Sequence, residues 1–107
     1  MNRGKVRDEQ LANLIAEELE FVLNSARDPR LSELQITAIE PGPGGKHFLI
    51  LVAPNENANT CFSAEEIKLV LKRATPFFRY ELAQLLNLKK APDLTFIIDP
   101  LFTAPKS

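Results

Sequence analysis

A helical apolar pattern in the second half of the chain continues across a proline, and no other feature of the sequence constrains the fold as strongly. Apolar residues recur between positions 67 and 85 at the spacing of one helix face, and Pro76 falls in the middle. Proline lacks an amide donor and clashes with the preceding turn, but it is well tolerated as the first residue of a helix. The sequence therefore predicts a helix, a kink at Ala74, Thr75 and Pro76, and a second helix with Thr75 as its N-cap.

The other elements follow from local signals. Ser63 and Glu66 form a capping box that begins the kinked helical region. A first helix is predicted from about Asp8 to a point before Pro29, because its apolar residues recur at helical spacing. Three strands are predicted from alternating or β-branched segments, at 34–38, 48–53 and 94–99.

The order of these elements predicts an α+β fold built as a two-layer sandwich. The first two strands are joined by a turn at 41–45 and should pair antiparallel, and the last strand is expected to lie next to the first. The helices would then cover one face of the three-stranded sheet. With 45% hydrophobic content, residues 1–107 are expected to form one domain, with a core at about 7–99 and a frayed tail at 100–107.

Composition argues against several classes of protein. The longest apolar runs are far shorter than the roughly 20 residues that a membrane-spanning helix needs, and the N-terminus has no signal-peptide pattern, so a soluble, cytoplasmic protein is expected. A single cysteine, Cys61, and a single histidine, His47, offer no disulfide framework, metal-ligand spacing or cofactor motif. No nucleophile or carboxylate pair has a visible reason to be activated, which argues against an enzyme or a small-molecule site.

The distribution of charge is more informative than its sum. A formal net charge of −1 argues against polyanion binding driven by bulk charge. On an ideal helix Lys68, Lys72 and Arg79 form one stripe beside the apolar face, and such a stripe could track phosphates. The amides at the start of a helix after Pro76 would add an anion site near Thr75. A solvated flank is the alternative for the same basic side chains.

Three aromatic residues lie on this helical region. Phe78 is expected in the core, because aromatics at helical spacing beside leucines usually pack there. Phe77 stays open between a core position and a stacking position. Tyr80 is expected to be simply exposed, with stacking on an unpaired base as the alternative.

An ordered set of segments gives the chain a family resemblance. Basic residues from Arg3 to Arg7 precede an amphipathic helix, RDPRL follows at 27–31, a Ser-Ala-Glu-Glu helix start lies at 63–66, and KRATPFFRYELAQLLNLKKAPDLTFIID occupies 72–99. This set resembles the ribosome-binding factor A family. The resemblance implies a KH-like fold of the second topological type, with the order α-β-β-α-kink-α-β, in which an alanine-centred kink at 74–76 replaces the glycine-rich loop of ordinary KH domains.

The same resemblance implies a function. Members of this family bind the small ribosomal subunit in its immature form, act late in the maturation of its rRNA, matter most in the cold and are not catalytic. The expected partners are therefore this subunit and its rRNA, with the chain acting as a monomer. The GxxG pattern at Gly42–Gly45 joins two strands, so it is assigned only to a turn.

The expected RNA contacts come from both helical regions and from the linkers. Arg30 also has a structural alternative, because the segment from Asp28 to Arg30 ends the first helix. The alternative function is a protein interaction module of the same fold without direct RNA binding, in which the first helix, with Glu17, Glu18 and Glu20, meets a protein partner. The candidate RNA-binding residues are Arg3, Lys5, Arg7, Arg30, Lys68, Lys72, Arg73, Arg79, Lys89 and Lys90.

Overall fold

A computed structural model describes residues 3–42, 46–55 and 62–100, with residues 3–6 as backbone only. The predicted turn at 41–45, the segment that contains Cys61 and the predicted C-terminal tail lie wholly or partly outside these residues. No helix within them is both long and apolar enough to cross a membrane. The described elements are α1 (Arg3–Asn24), α2 (Pro29–Ser32), β1 (Leu34–Pro41), β2 (His47–Pro54), α3 (Ala64–Leu85) and β3 (Asp93–Ile98).

The first helix is held against the sheet by one apolar stripe. It begins at Arg3, earlier than the predicted start at Asp8, and its contacts with the rest of the fold are chiefly to β1. Ile15, Leu19 and Leu23 recur every four residues and are completely buried. Because tertiary burial of an amphipathic face supplies most of the stability of a helix in a protein, this stripe fixes the position of α1.

The short helix α2 is not predicted from the sequence. Asp28 is its N-cap, and one carboxylate oxygen, Oδ1, accepts a hydrogen bond from the backbone N–H of Arg30 at 2.9 Å. Pro29 occupies the first helical position, where its missing N–H would have no helical partner. The segment from Asp28 to Arg30 therefore begins a helix, which leads into β1 one residue after it ends.

The three strands form one sheet with the order β1-β2-β3. β1 and β2 pair antiparallel, as predicted, with Ile39 opposite Ile50. β3 pairs with β2 and runs parallel to it, with Phe96 opposite Ile50. The predicted place of the last strand beside the first is wrong. Because α3 connects β2 to β3, the chain can cross over the sheet and begin a parallel neighbour.

The helices cover one face of this sheet, which confirms the predicted two-layer α+β sandwich. Phe48, Ile50 and Val52 alternate along β2 and are completely buried under the helices. Phe96 of β3 belongs to the same core and meets Phe78 of α3 edge-on, with ring centroids 5.6 Å apart. This arrangement confirms the core position predicted for Phe78 and ties α3 to β3.

The helix α3 continues from Ala64 to Leu85 with Pro76 inside it. The predicted separation into two helices, with Thr75 as an N-cap, is therefore wrong. An internal proline costs a helix about 3 kcal/mol. Leu71 before the proline and Phe78 after it are both buried in the core, and burying each of two large apolar side chains contributes about 1.5–3 kcal/mol. Packing on both sides of Pro76 thus outweighs its cost.

Both ends of α3 have defined caps. The hydroxyl of Ser63 accepts a hydrogen bond from the N–H of Glu66 at 3.1 Å, which confirms the predicted capping box. At the other end, Asn87 has a left-handed backbone with φ 53°, a conformation that asparagine tolerates better than most residues. The N–H of Leu88 then donates to the carbonyl of Ala83 at 2.9 Å. This C-terminal turn begins the connection from α3 to β3.

Candidate nucleic-acid interface

A groove of about 400 Å³ runs between α3 and β3. On the helix, positions 68 and 72 and positions 71 and 75 are each about one turn apart, so their side chains point to neighbouring parts of one flank. On the other side, β3 contributes three consecutive residues. The groove is lined by Lys68, Leu71, Lys72 and Thr75 from α3 and by Leu94, Thr95 and Phe96 from β3.

The groove combines an apolar floor with a basic wall. Leu71 is buried and Phe96 is half-buried, whereas Lys68 and Lys72 are exposed. Across the residues that the structure describes, neither lysine forms an ion pair. Within the part of the chain that the structure describes, β3 is an edge strand, so no strand pairs with its outer row of backbone N–H and C=O groups. Such a groove can bind phosphates at the lysines and bases on the floor and the strand edge.

The expected anion site at a second helix start is absent from α3. Thr75 does not cap a helix, because its hydroxyl donates to the carbonyl oxygen of Leu71, one turn earlier, at 2.7 Å. The amides that follow Pro76 lie inside a continuous helix, which has no free N-terminal donors at that point. Thr75 instead lines the groove, so any phosphate would meet the lysine side chains rather than backbone amides.

Arg79 is occupied within the protein. Its Nε donates to the carbonyl oxygen of Pro92 at 2.9 Å, and a terminal nitrogen lies 3.1 Å from Oδ1 of Asp93. The Arg79 side chain is 40% exposed. The predicted stripe of three free cations is therefore reduced to Lys68 and Lys72. Arg79 fastens α3 to the start of β3, which is a structural role.

Arg30 is occupied in a similar way. Its Nε and terminal nitrogen donate to both carboxylate oxygens of Asp28, with the shortest contact at 2.8 Å. These hydrogen bonds are the main cause that lowers the pKa of Asp28 below its ordinary value, and they raise the pKa of Arg30. The bidentate pair stabilises the cap of α2. Arg30 therefore has a structural role at the start of α2. The predicted role of this segment in ending the first helix is wrong, because α1 already ends at Asn24.

None of the remaining candidates with a described side chain lines the groove. Arg3 and Lys5 lie in α1, but their side chains are outside the described part of the chain. The exposed ones are Arg7 on α1, Arg73 on α3, and Lys89 and Lys90 in the connection between α3 and β3. Among the candidates whose side chains are described, the structure thus brings Lys68 and Lys72 together in the groove.

The strand side of the groove is not predicted from the sequence. The alternation of Leu94, Thr95 and Phe96 predicts a strand, but alternation does not specify which helix lies beside that strand. The signal that could have been used is the order of β2, α3 and β3, because a strand-helix-strand unit places its second strand parallel to the first and beneath the helix.

The element order, the sheet and the groove define a KH-like α+β domain, the class also found among the similar solved structures. A family model described as ribosome-binding factor A matches residues 7–106. The chain belongs to the ribosome-binding factor A family. Among the curated relatives, ribosome-binding factor A of Coxiella burnetii is 33% identical over 94 residues, which cover 87% of this chain and 76% of the relative.

One solved structure and one fitted homology model are also similar. The solution structure of a Thermotoga maritima protein has a TM-score of 0.70 and 27% identity, and the match covers 92% of each chain. A homology model of ribosome-binding factor A of Thermus thermophilus, fitted into a cryo-EM map of its complex with the 30S subunit, has a TM-score of 0.62 and 25% identity. That match covers 91% of this chain and 96% of the Thermus chain.

Proposed function

We propose that this protein is a non-catalytic ribosome assembly factor that binds the rRNA of the immature small ribosomal subunit in the groove between α3 and β3. The observation that carries the proposal is the pairing of Lys68 and Lys72 with an apolar floor and an open strand edge. The Thermus relative in complex with the 30S subunit supports the choice of partner. Lys89, Lys90 and Arg7 would make secondary phosphate contacts.

The proposed activity is a shift in rRNA conformation. A bound protein favours the RNA arrangement for which it has the higher affinity, by an amount equal to the difference in binding free energy. A factor that acts late in maturation must therefore bind the immature arrangement more tightly and lose contacts when the rRNA reaches its final form. The family resemblance extends the proposal to growth in the cold, to a cytoplasmic location and to a monomeric chain of one domain.

Sedimentation of cell lysate through a sucrose gradient tests this function. The protein should travel with free immature small subunits and be absent from complete ribosomes. Its affinity for purified immature subunits should fall steeply as salt rises, because phosphate contacts release counterions. Equal distribution between immature subunits and complete ribosomes would refute the proposed selectivity.

A protein partner is the second candidate function, and the outer side of α1 favours it. Leu14 and Phe21 lie two turns apart on α1 and are 48% and 66% exposed. Glu17, exposed between them, makes this surface unfavourable for RNA. If this face alone bound the subunit, substitution of Phe21 would abolish association and substitution of the groove lysines would not. The two functions therefore give opposite results with the same pair of variants.

A further inference from the structure

We propose that the outward face of α3 is a stacking platform for unpaired bases, formed by the rings of Phe77 and Tyr80 with the guanidinium of Arg73. The platform lies outside the groove, so it is a second RNA-binding surface on the same helix. This inference rests on the proposed RNA-binding function and specifies which RNA the protein selects: a segment with unpaired nucleotides.

Helical geometry brings the three side chains together. Arg73, Phe77 and Tyr80 follow one another at spacings of four and three residues, which places them on adjacent turns of one side of α3. All three are exposed, with Phe77 at 56% and Tyr80 at 61%. The face opposite the core thus presents two aromatic rings beside a cation.

The core does not account for these rings. Phe78, the residue between them that faces inward, is buried and contacts Phe96 of the sheet. The ring of Phe77 lies 6.2 Å from that of Phe78 at a tilted angle, yet more than half of Phe77 remains accessible. One neighbour therefore anchors the Phe77 ring while its outer surface is free to pack against a planar ligand.

Two consecutive cations beside the platform favour a nucleic acid, and Glu81, one turn after Phe77, carries the opposite charge. Arg73 and Lys72 are consecutive, so their side chains leave the helix about 100° apart. Lys72 lines the groove, and Arg73 lies on the outward face. Neither forms an ion pair within the described residues. An RNA strand that leaves the groove past Lys72 would meet Arg73 next, where a phosphate contact would hold its bases over the rings.

The composition of the chain supplies a specific reporter for this platform. Tyr80 is the only tyrosine, and the chain has no tryptophan. Protein labelled with 3-fluorotyrosine therefore gives one ¹⁹F resonance, from position 80. We expect a mixed-sequence single-stranded RNA of about 10 nucleotides, within the usual site sizes of single-strand binders, to shift this resonance. A duplex of the same sequence, whose bases are already stacked, should shift it much less.

Variants separate the platform from the groove. Tyr80→Leu removes the ring and keeps an apolar side chain, and we expect it to weaken single-stranded RNA binding about 5- to 100-fold, as is typical when a stacking aromatic is lost. The dependence of affinity on salt should not change, because no charge is removed. Phe21→Leu is the matched control, since it deletes an equally exposed ring from α1, and it should leave affinity unchanged.

The outcomes distinguish this proposal from the function on which it rests. If single-stranded RNA binds in a salt-dependent manner but the ¹⁹F resonance stays unchanged and Tyr80→Leu binds normally, the platform is refuted and groove binding stands. If Tyr80→Leu binds RNA normally but loses affinity for a subunit protein, the outward face is a protein surface and the platform is again refuted. If neither RNA binds at low salt, the proposed RNA-binding function fails as well.

Discussion

The Nε of Arg79 donates a hydrogen bond to the carbonyl oxygen of Pro92, 2.9 Å away and 13 positions later in the chain. The same guanidinium pairs with Asp93, the first residue of β3. The N–H of Asp93 in turn donates to the carbonyl of Lys46, immediately before β2. Arg79 therefore connects α3, the α3–β3 connection and the sheet, and it helps to set the separation of the two sides of the groove.

Loss of the contacts of Arg79 with Pro92 and Asp93 should destabilise the fold. Arg79→Gln removes the ion pair and leaves the Pro92 carbonyl without its donor, and we expect the free energy of unfolding to fall by about 1–2 kcal/mol, as measured by urea unfolding. Arg73→Gln is the matched control on the same helix and should change it by less than about 0.5 kcal/mol. Equal effects of the two substitutions would contradict the structural role of Arg79.

The same geometry affects the choice of charge-reversal variants. Reversing Lys72, Arg73 and Arg79 together should not leave the fold intact. A glutamate at position 79 would face Asp93 and would lose the hydrogen bond to Pro92. Lost RNA binding in such a triple variant would combine misfolding with lost contacts.

Reversal of the two groove lysines is the cleaner change. Lys68→Glu with Lys72→Glu should remove about two phosphate contacts, which lowers the slope of log affinity against log salt by about 1.4 for a single strand. Stability should be unchanged, since both side chains are exposed. Arg27→Glu, an exposed cation in the connection between α1 and α2, is the control. An unchanged salt slope in the double variant would place the RNA elsewhere.

The Asp28 cap should give a pH-dependent contribution to stability. Asp28→Ala removes both the cap and the ion pair and should cost about 1–2 kcal/mol, whereas Asp28→Asn keeps a capping oxygen and should cost less. The pKa of Asp28 is lowered in the folded state from its ordinary 3.8. The contribution of its charge is therefore present above about pH 4 and is lost as pH falls below that value. A difference between wild type and Asp28→Asn that persists unchanged at pH 2 would contradict this assignment.

Removal of the internal proline should stabilise the protein. Pro76→Ala restores an amide donor inside α3, and we expect the free energy of unfolding to rise by about 2 kcal/mol. This value is the cost of a proline inside a helix minus the stabilisation that proline provides by restricting the unfolded chain. Gln84→Ala, another exposed position of α3, serves as the control and should change stability by less than about 0.5 kcal/mol. A loss of stability on Pro76→Ala would mean that the proline ring itself is part of the packing.

Local patterns in the sequence predict where the helices and strands lie, but they do not predict which elements lie beside one another. The strands at 34–41, 47–54 and 93–98 overlap their predicted positions, because alternation reports which face of a strand is buried. It does not report which strand lies alongside, and β3 was placed at the wrong edge. The helix start at Ser63 was predicted because a capping box is local, whereas the continuity of α3 through Pro76 depends on tertiary packing of Leu71 and Phe78.

In the candidate site too, local spacing is predictable from the sequence and tertiary contacts are not. Helical spacing alone was enough to place Lys68 and Lys72 on one flank of α3. The partners of Arg79 could not be predicted, because Pro92 and Asp93 reach it through the path of the α3–β3 connection. The sequence does not decide between RNA contact and a structural role for Arg30, because the Asp28 cap and its ion pair with Arg30 depend on the formation of α2.

The most direct test of the groove as the RNA-binding site is photo-crosslinking from single positions to the immature small subunit. A benzophenone amino acid at position 68 should form crosslinks to rRNA, and the same group at position 21 on α1 should form none. Crosslinks to rRNA from position 21 and not from position 68 would contradict the account. They would place the RNA on the first helix.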